Sequence, residues 1–279
     1  MKRLAPIAVH IALVVAVALT LYPILWVLKL ALSGTQQLSL SVNPLPTAFR
    51  LDNFAGLLQP RTADGTVLFW RQALNSMIIA AVVTVVGVLF SASAAYALSR
   101  FSFRGKDSTV KFLYLSQMMP GVVSMIPLYV LLDRLGLASS LFGLILVYTA
   151  TAVPFCVLML RGAYDALPRE LDEAVLLDGG TYYTAFFRVA LPLSRPALAT
   201  TALFSFLTAW NEFILAATLM ARPDRYTLPV AIQQYVGDFH SEWGHFAAGA
   251  LVVSLPVMAL FLVLERHLAG GLTQGAVKG

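Results

Sequence analysis

The chain has 279 residues, of which 59% are hydrophobic and 12% charged; a soluble domain carries about 25% charged residues. The missing charge excludes an ordinary soluble enzyme, which interleaves polar residues at helical or strand spacing, because here the charges fall between long empty stretches. The formal net charge of +5 follows from basic residues flanking those stretches, so it implies contact with lipid headgroups and no nucleic-acid partner.

In chain order, no charged residue occurs in 4–28, 72–99, 112–132, 135–160 or 246–264, and 196–221 is broken only by Glu212. Each stretch is near or above the roughly 20 residues that a helix needs to cross about 30 Å of hydrocarbon. Lipid offers no partner to an unpaired backbone group, so helices follow. The expected fold class is an all-α membrane protein of six transmembrane helices in one domain, 1–279. The first apolar run is too long for a signal-peptide core and no small-residue cleavage site follows it, so it reads as a retained helix. Gly136 and Gly143 leave the start of the fourth stretch open.

With six spans both termini share a side. Twelve of the 19 Lys and Arg residues fall on that side and seven on the other. The positive-inside rule therefore places both termini in the cytoplasm of a multi-pass bacterial inner-membrane protein. The outward segments are then 29–71, the turn at Asp133-Arg134, and 222–242. The inward ones are 99–111, 161–195 and a tail, 269–279. Pro23, Pro120, Pro127, Pro154 and Pro256 lie within spans. Each removes a backbone donor and favours a kink, read either as a tolerated bend or as a hinge beside a cavity. Pro120, Gly121 and Pro127 make the third span the leading hinge candidate.

The inward segment 165–196 reads as a folded helix–turn–helix. Pro168 suits a helix start, and Glu170, Asp172 and Glu173 suit the positive end of a helix dipole. Leu171, Ala174 and Val175 give one apolar face. Gly179-Gly180 ends that helix, and Thr181 can cap a second over 182–190 that carries Tyr183, Phe186 and Phe187.

Glu173-Ala174-Val175, Gly179 and Val189-Ala190-Leu191-Pro192 together resemble the EAA loop of binding-protein-dependent ABC importer permeases; Val175 departs from that family's usual alanine. The resemblance implies that Glu173, Ala174, Val175, Gly179, Val189, Leu191 and Pro192 dock into a cleft on a cytoplasmic ATPase and pass its closure to the membrane helices. Glu173 then pairs with a basic residue of the ATPase, or else caps its own helix. The segments 226–235 and 243–248, Leu51-Asp52-Asn53-Phe54, Ser99-Arg100-Phe101 and the C-terminal tail are similar to the sugar permeases of the maltose type, in particular to their smaller permease subunit. That likeness covers nearly the whole chain. It implies a heterodimer with a second permease subunit, an ATPase homodimer that holds ATP and Mg, and an extracytoplasmic sugar-binding protein. The solute it implies is maltose, trehalose or another di- or oligosaccharide. Tyr226, Gln233, Gln234 and Tyr235 become candidate contacts to the binding protein's sugar cleft, with an ordinary surface loop as the other reading. Thr273, Gln274, Gly275 and Lys278 become contacts between the tail and the ATPases.

Glu212, in Trp210-Asn211-Glu212-Phe213, costs about 2.5 kcal/mol or more inside a span. It either lines the translocation pathway with Trp210 and Asn211, pairs across the two permeases, or makes a structural hydrogen bond in the bundle. A proton-coupled secondary transporter using Glu212 is the alternative function; it explains the spans but not 165–196. The four histidines have no metal-ligand spacing, and Cys156, alone within a span, reads as an inert buried thiol. No phosphate-binding loop, HExxH or nucleophile elbow is present. No catalytic or metal residue and no cofactor on this chain are therefore expected.

Overall fold

The computed structural model describes residues 4–38, 41–59, 65–237 and 241–275. Helices follow one another as α1 (Leu4–Leu32), α2 (Asp52–Leu57), α3 (Leu68–Arg100), α4 (Lys106–Met118), α5 (Gly121–Arg134), α6 (Leu141–Asp165) and α7 (Glu170–Leu177). They continue as α8 (Tyr182–Ala185), a π-helical turn at Phe186–Ala190, α9 (Leu191–Leu193), α10 (Arg195–Asn211), α11 (Ile214–Leu219), α12 (Leu228–Gln233) and α13 (Trp243–Gly275). Among the described residues the only β pairing is an isolated antiparallel bridge between Val236 and Ser241.

Four stretches are long and apolar enough to cross a membrane unbroken: Val9–Leu32 of α1, all of α3, all of α6, and Trp243–Glu265 of α13. The other two expected spans are interrupted. The third is the pair α4 and α5, bent by 99°. Its cause is local: a residue before proline is pushed out of the helical region, and Met119, before Pro120, is extended at ψ 127°. Pro127 stays inside α5, so the hinge candidate narrows to Met119-Pro120. The stretch 196–221 is α10 and α11 separated at Glu212, which is extended at ψ 125°. Of the six spans expected, length and apolarity give, among the described residues, four unbroken spans, or five with the bent pair taken as one. The fourth span begins at Leu141, where Ser140 caps the helix by accepting the Gly143 N–H at 2.9 Å.

The chain packs as two compact units, one of Met1–Arg71 with Leu228–Leu255, the other of Gln72–Thr227 with Pro256–Gly279. In the first, the fully buried Asn53 donates to the carbonyls of Leu30 and Ala31 at 3.2 and 3.0 Å, satisfying the open end of α1. Its Oδ1 accepts Gln36 Nε2 at 2.8 Å, and Gln36 Oε1 accepts the His245 N–H at 3.1 Å. Gly244 sits so close that an added Cβ would lie 2.3 Å from the Thr35 carbonyl oxygen and 2.6 Å from Asn53 Nδ2. The two sequence signatures Asp52-Asn53-Phe54 and Trp243-Gly244-His245 are therefore the two halves of one junction.

In the second unit the core at the α3 C-terminus consists of Ala92, Ala95, Tyr96 and Leu98 packed on Val157, Leu160 and Tyr164 of α6 and on Phe186 and Ala190. The π-helical turn thereby seats Phe186 against Tyr96 and Tyr164, with ring centroids 5.0 and 6.5 Å away. At the other end of α3, Gln72 and Asn75 donate to the carbonyls of Pro223, Asp224 and Tyr226 at 3.0–3.1 Å, which pins the turn after α11.

Gly244→Ala is expected to lower stability by about 1–3 kcal/mol through overpacking of that junction. Gly162→Ala, on α6 with open space around it, should raise stability by up to about 1 kcal/mol by rigidifying the helix. Denaturation midpoints of the two purified variants check both signs.

Candidate functional site

The segment 165–196 holds the largest share of the sequence-selected residues, and its shape follows from local chemistry. Helix α7 ends in a Schellman turn. The Gly179 N–H donates to the Leu176 carbonyl at 3.1 Å, and the Gly180 N–H to that of Val175 at 2.8 Å. Gly179 is left-handed, φ +80°, in open space, whereas a Cβ on Gly180 would meet Val175 Cγ1 at 2.6 Å. The two glycines differ in kind: Gly180 lets the chain pass, and Gly179 supplies the conformation while keeping its outer side clear. Thr181 then caps α8, its Oγ1 accepting the Thr184 N–H at 3.3 Å.

What faces inward on α7 differs from the apolar face read in the sequence. Leu171 and Ala174 are exposed and Val175 is half-buried, while the buried residue is Asp172. Its Oδ1 accepts the Tyr96 hydroxyl at 2.9 Å, and its Oδ2 lies 2.5 Å from Arg100 Nε in an ion pair whose side chains are 6% and 5% exposed. Arg100 also donates to the Leu167 carbonyl at 3.1 Å, and Ser99 Oγ donates to Asp165 Oδ1 at 2.6 Å. The last turn of α3 is thus bound to the end of α6, to the linker, and to the first turn of α7. Both charges sit at helix ends whose dipoles favour them. Sequence reading took Arg100 as a topology residue in a family-like stretch and Asp172 as a dipole residue; the signal that pairs them is burial, which no local pattern reveals.

With Asp172 anchored, Glu173, Ala174 and Gly179 are exposed together, beside Leu177 at 88% and Tyr183 at 72% exposure. Val189, Leu191 and Pro192 are half-buried beneath, Leu191 packing on the core of Tyr96 and Phe186. The element therefore presents a small acidic and apolar outer face on a moored base.

Glu212 has a local role. Its carboxylate accepts the Leu215 and Ala216 N–H groups at 2.8 and 3.0 Å, the donors that a helix start leaves open. It also accepts the hydroxyl of Tyr148, a buried residue of α6. The glutamate thus restarts the helix after the break and ties it to α6. Trp210 is buried and stacked on Phe206, and Asn211 is exposed.

On the segment 222–242, Tyr226 is half-buried with its carbonyl held by Asn75, and Gln233 and Gln234 at the end of α12 are exposed. Tyr235 is 7% exposed, its ring 5.5 Å from that of His245. Helix α13 carries the chain through Thr273, Gln274 and Gly275, and Lys278 lies outside the described residues. Among the described residues no His, Cys, Asp and Glu cluster has the makings of a metal site.

Comparison with known proteins matches residues 87–272 to the family described as "Binding-protein-dependent transport system inner membrane component". The trehalose transport system permease protein SugB of Mycobacterium tuberculosis is 35% identical over 265 residues, covering 94% of this chain and 94% of that one. The maltose/maltodextrin transport system permease protein MalG of Yersinia pestis is 34% identical over 291 residues, covering 100% of this chain and 95% of that one. Among solved structures, a bacterial ABC transporter involved in the import of the acidic polysaccharide alginate superposes with a TM-score of 0.78 at 22% identity, over 95% of this chain and 96% of that one. At that identity the likeness is one of fold.

Removing one partner of a buried ion pair leaves the other uncompensated, so Arg100→Met and Asp172→Leu should each destabilise by about 3 kcal/mol. The double variant should recover part of that loss, with a coupling above about 1 kcal/mol. A double-mutant cycle on denaturation midpoints measures it; additive losses would contradict the pairing.

Proposed function

The chain belongs to the family of inner membrane components of binding-protein-dependent transport systems, and from that membership we propose that it is the smaller permease subunit of an ATP-driven importer of di- or oligosaccharides. The observation that carries this reading is the end-to-end match to permeases of trehalose and maltose systems. Family membership favours ATP-driven import over a proton-coupled carrier. Glu212, which the latter would need as a proton site, has its carboxylate engaged by two backbone donors and a hydroxyl.

In this reading both termini and 165–196 are cytoplasmic, as the excess of basic residues on that side supports. The exposed face of Glu173, Ala174 and Gly179 docks on one ATPase subunit. Closure of two ATPases around ATP and Mg pushes on that face. The Asp172–Arg100 pair then hands the push to α3, and Phe186 hands it to the core between α3 and α6. A permease without a nucleotide site of its own fits this division of labour. The second permease forms the other wall of the pathway, and an external binding protein delivers the sugar. Gln233 and Gln234, exposed amides that can both donate and accept, suit contact with the binding protein or its hydroxyl-rich cargo. Tyr235, buried beside the His245 ring, does not offer its side chain to a partner, and Thr273, Gln274, Gly275 and Lys278 are the tail's contacts to the ATPases.

Gly179 gives the sharpest test of docking. Leucine there costs about 1–2 kcal/mol in the left-handed region and fills the clear side, whereas asparagine tolerates that conformation and stays small. With the chain co-expressed with its partner subunits, Gly179→Leu should lose ATP-driven sugar uptake and Gly179→Asn should keep most of it. Normal uptake by Gly179→Leu at normal complex yield would overturn the docking assignment.

A further inference from the structure

The chain that follows α1 turns back along it. No charged residue occurs in 30–49, and the stretch returns to the helix end, where the Arg50 N–H donates to the Leu32 carbonyl at 3.0 Å. On the way, Tyr22 donates its hydroxyl to the Val42 carbonyl at 2.8 Å. The buried Lys29 donates its ammonium to the next carbonyl, that of Asn43, at 2.6 Å. Tyr22 and Lys29 are about 10 Å of helix rise apart, and both belong to the apolar span Val9–Leu32. The Val42–Asn43 peptide is therefore held beside the last turns of α1, at the level of the span and not beyond its end.

The chemistry of the segment suits that depth. A backbone donor left open to hydrocarbon is costly. Pro44 and Pro46 have no N–H, and the Leu45 N–H goes to Asn43 Oδ1 at 3.0 Å, so 44–46 leaves no donor open. Water or a protein partner would offer acceptors to such donors, whereas lipid offers none. The apolar side chains Val42, Leu45, Phe49 and Leu51 are all exposed, Val42 at 79% and Phe49 at 82%. They extend a surface that α1 itself presents, where every residue from Ile11 to Leu19 is apolar and exposed. The two residues that fasten the segment are of the kinds that sit at a lipid boundary, an amphipathic ring and a charge on a long apolar stem.

We propose that 41–51 is a lipid-docking surface. Val42, Leu45, Phe49 and Leu51 enter the leaflet at the Leu32 end of α1, the outer one in the orientation given above, and Tyr22 and Lys29 set their depth. The inference rests on α1 spanning the membrane and is independent of the solute. The chain has a single cysteine, Cys156, which makes a direct test possible. Val42→Cys, Leu45→Cys and Phe49→Cys are each placed in a Cys156→Ala background and given a nitroxide. The full transporter, its other subunits cysteine-free, is assembled in lipid nanodiscs, and relaxation of each label by oxygen and by an aqueous nickel chelate is measured. Each label should respond to oxygen and be shielded from nickel, at a depth of about 5–10 Å below the lipid phosphates. Adding Tyr22→Phe should shift the label at position 42 toward water; an unmoved label would overturn the role of Tyr22 in setting the depth. Relaxation by nickel would put the segment in water, and shielding from both reagents would put it against a protein; either overturns the lipid assignment. A label at Val14→Cys, within α1, separates the causes. If that label also meets nickel, the spanning of α1 fails with the proposal; if it is shielded, the proposal fails alone.

Discussion

The arrangement depends on one buried contact, the ion pair between Arg100 at the last turn of α3 and Asp172 at the first turn of α7. A short helix of 8 residues is marginal on its own in water, and its inward apolar surface is limited to the half-buried Val175 and Leu176. What fixes it is a charge whose removal from water is tolerable only while its partner and the Tyr96 hydroxyl remain in place. That requirement makes the position of α7 all-or-none. Helix α7 moves with α3 or comes off it at considerable cost, the property that the proposed coupling role requires.

The membrane imposes the second constraint. Two of the six apolar stretches are interrupted, and each interruption is accounted for in its own way. At Glu212 a carboxylate supplies acceptors for the first donors of the restarted helix, so the break is sealed from within. At Met119-Pro120 the proline has no N–H to satisfy, and the exposed residues on either side of the break, Met118, Val122 and Val123 among them, are apolar. One break is closed by a side chain and the other leaves no donor to be closed, although in the sequence Glu212 is the more conspicuous of the two.

Much of this was legible in the residues. Apolar length alone located the four unbroken spans, and Gly179-Gly180 with Thr181 marked the turn between α7 and α8. Pro120 marked the bend because its effect on Met119 is a property of adjacent residues. Local rules failed where the deciding partner is distant in sequence. Asp172 looked like a dipole residue because Arg100 is 72 positions away. Leu171 and Ala174 looked like a buried face because apolar residues usually are. Glu212 kept three readings because Tyr148 and the restarted helix became visible only in three dimensions.

The most direct test of the transmission that this account describes is the number of sugar molecules imported per ATP hydrolysed by the reconstituted transporter, compared between the wild type and Asp172→Asn. Loss of the buried charge should slacken α7 against α3, so hydrolysis should continue while import falls and the ratio drops. An unchanged ratio, with both activities intact or both reduced in proportion, would show that the Arg100–Asp172 pair does not carry the coupling.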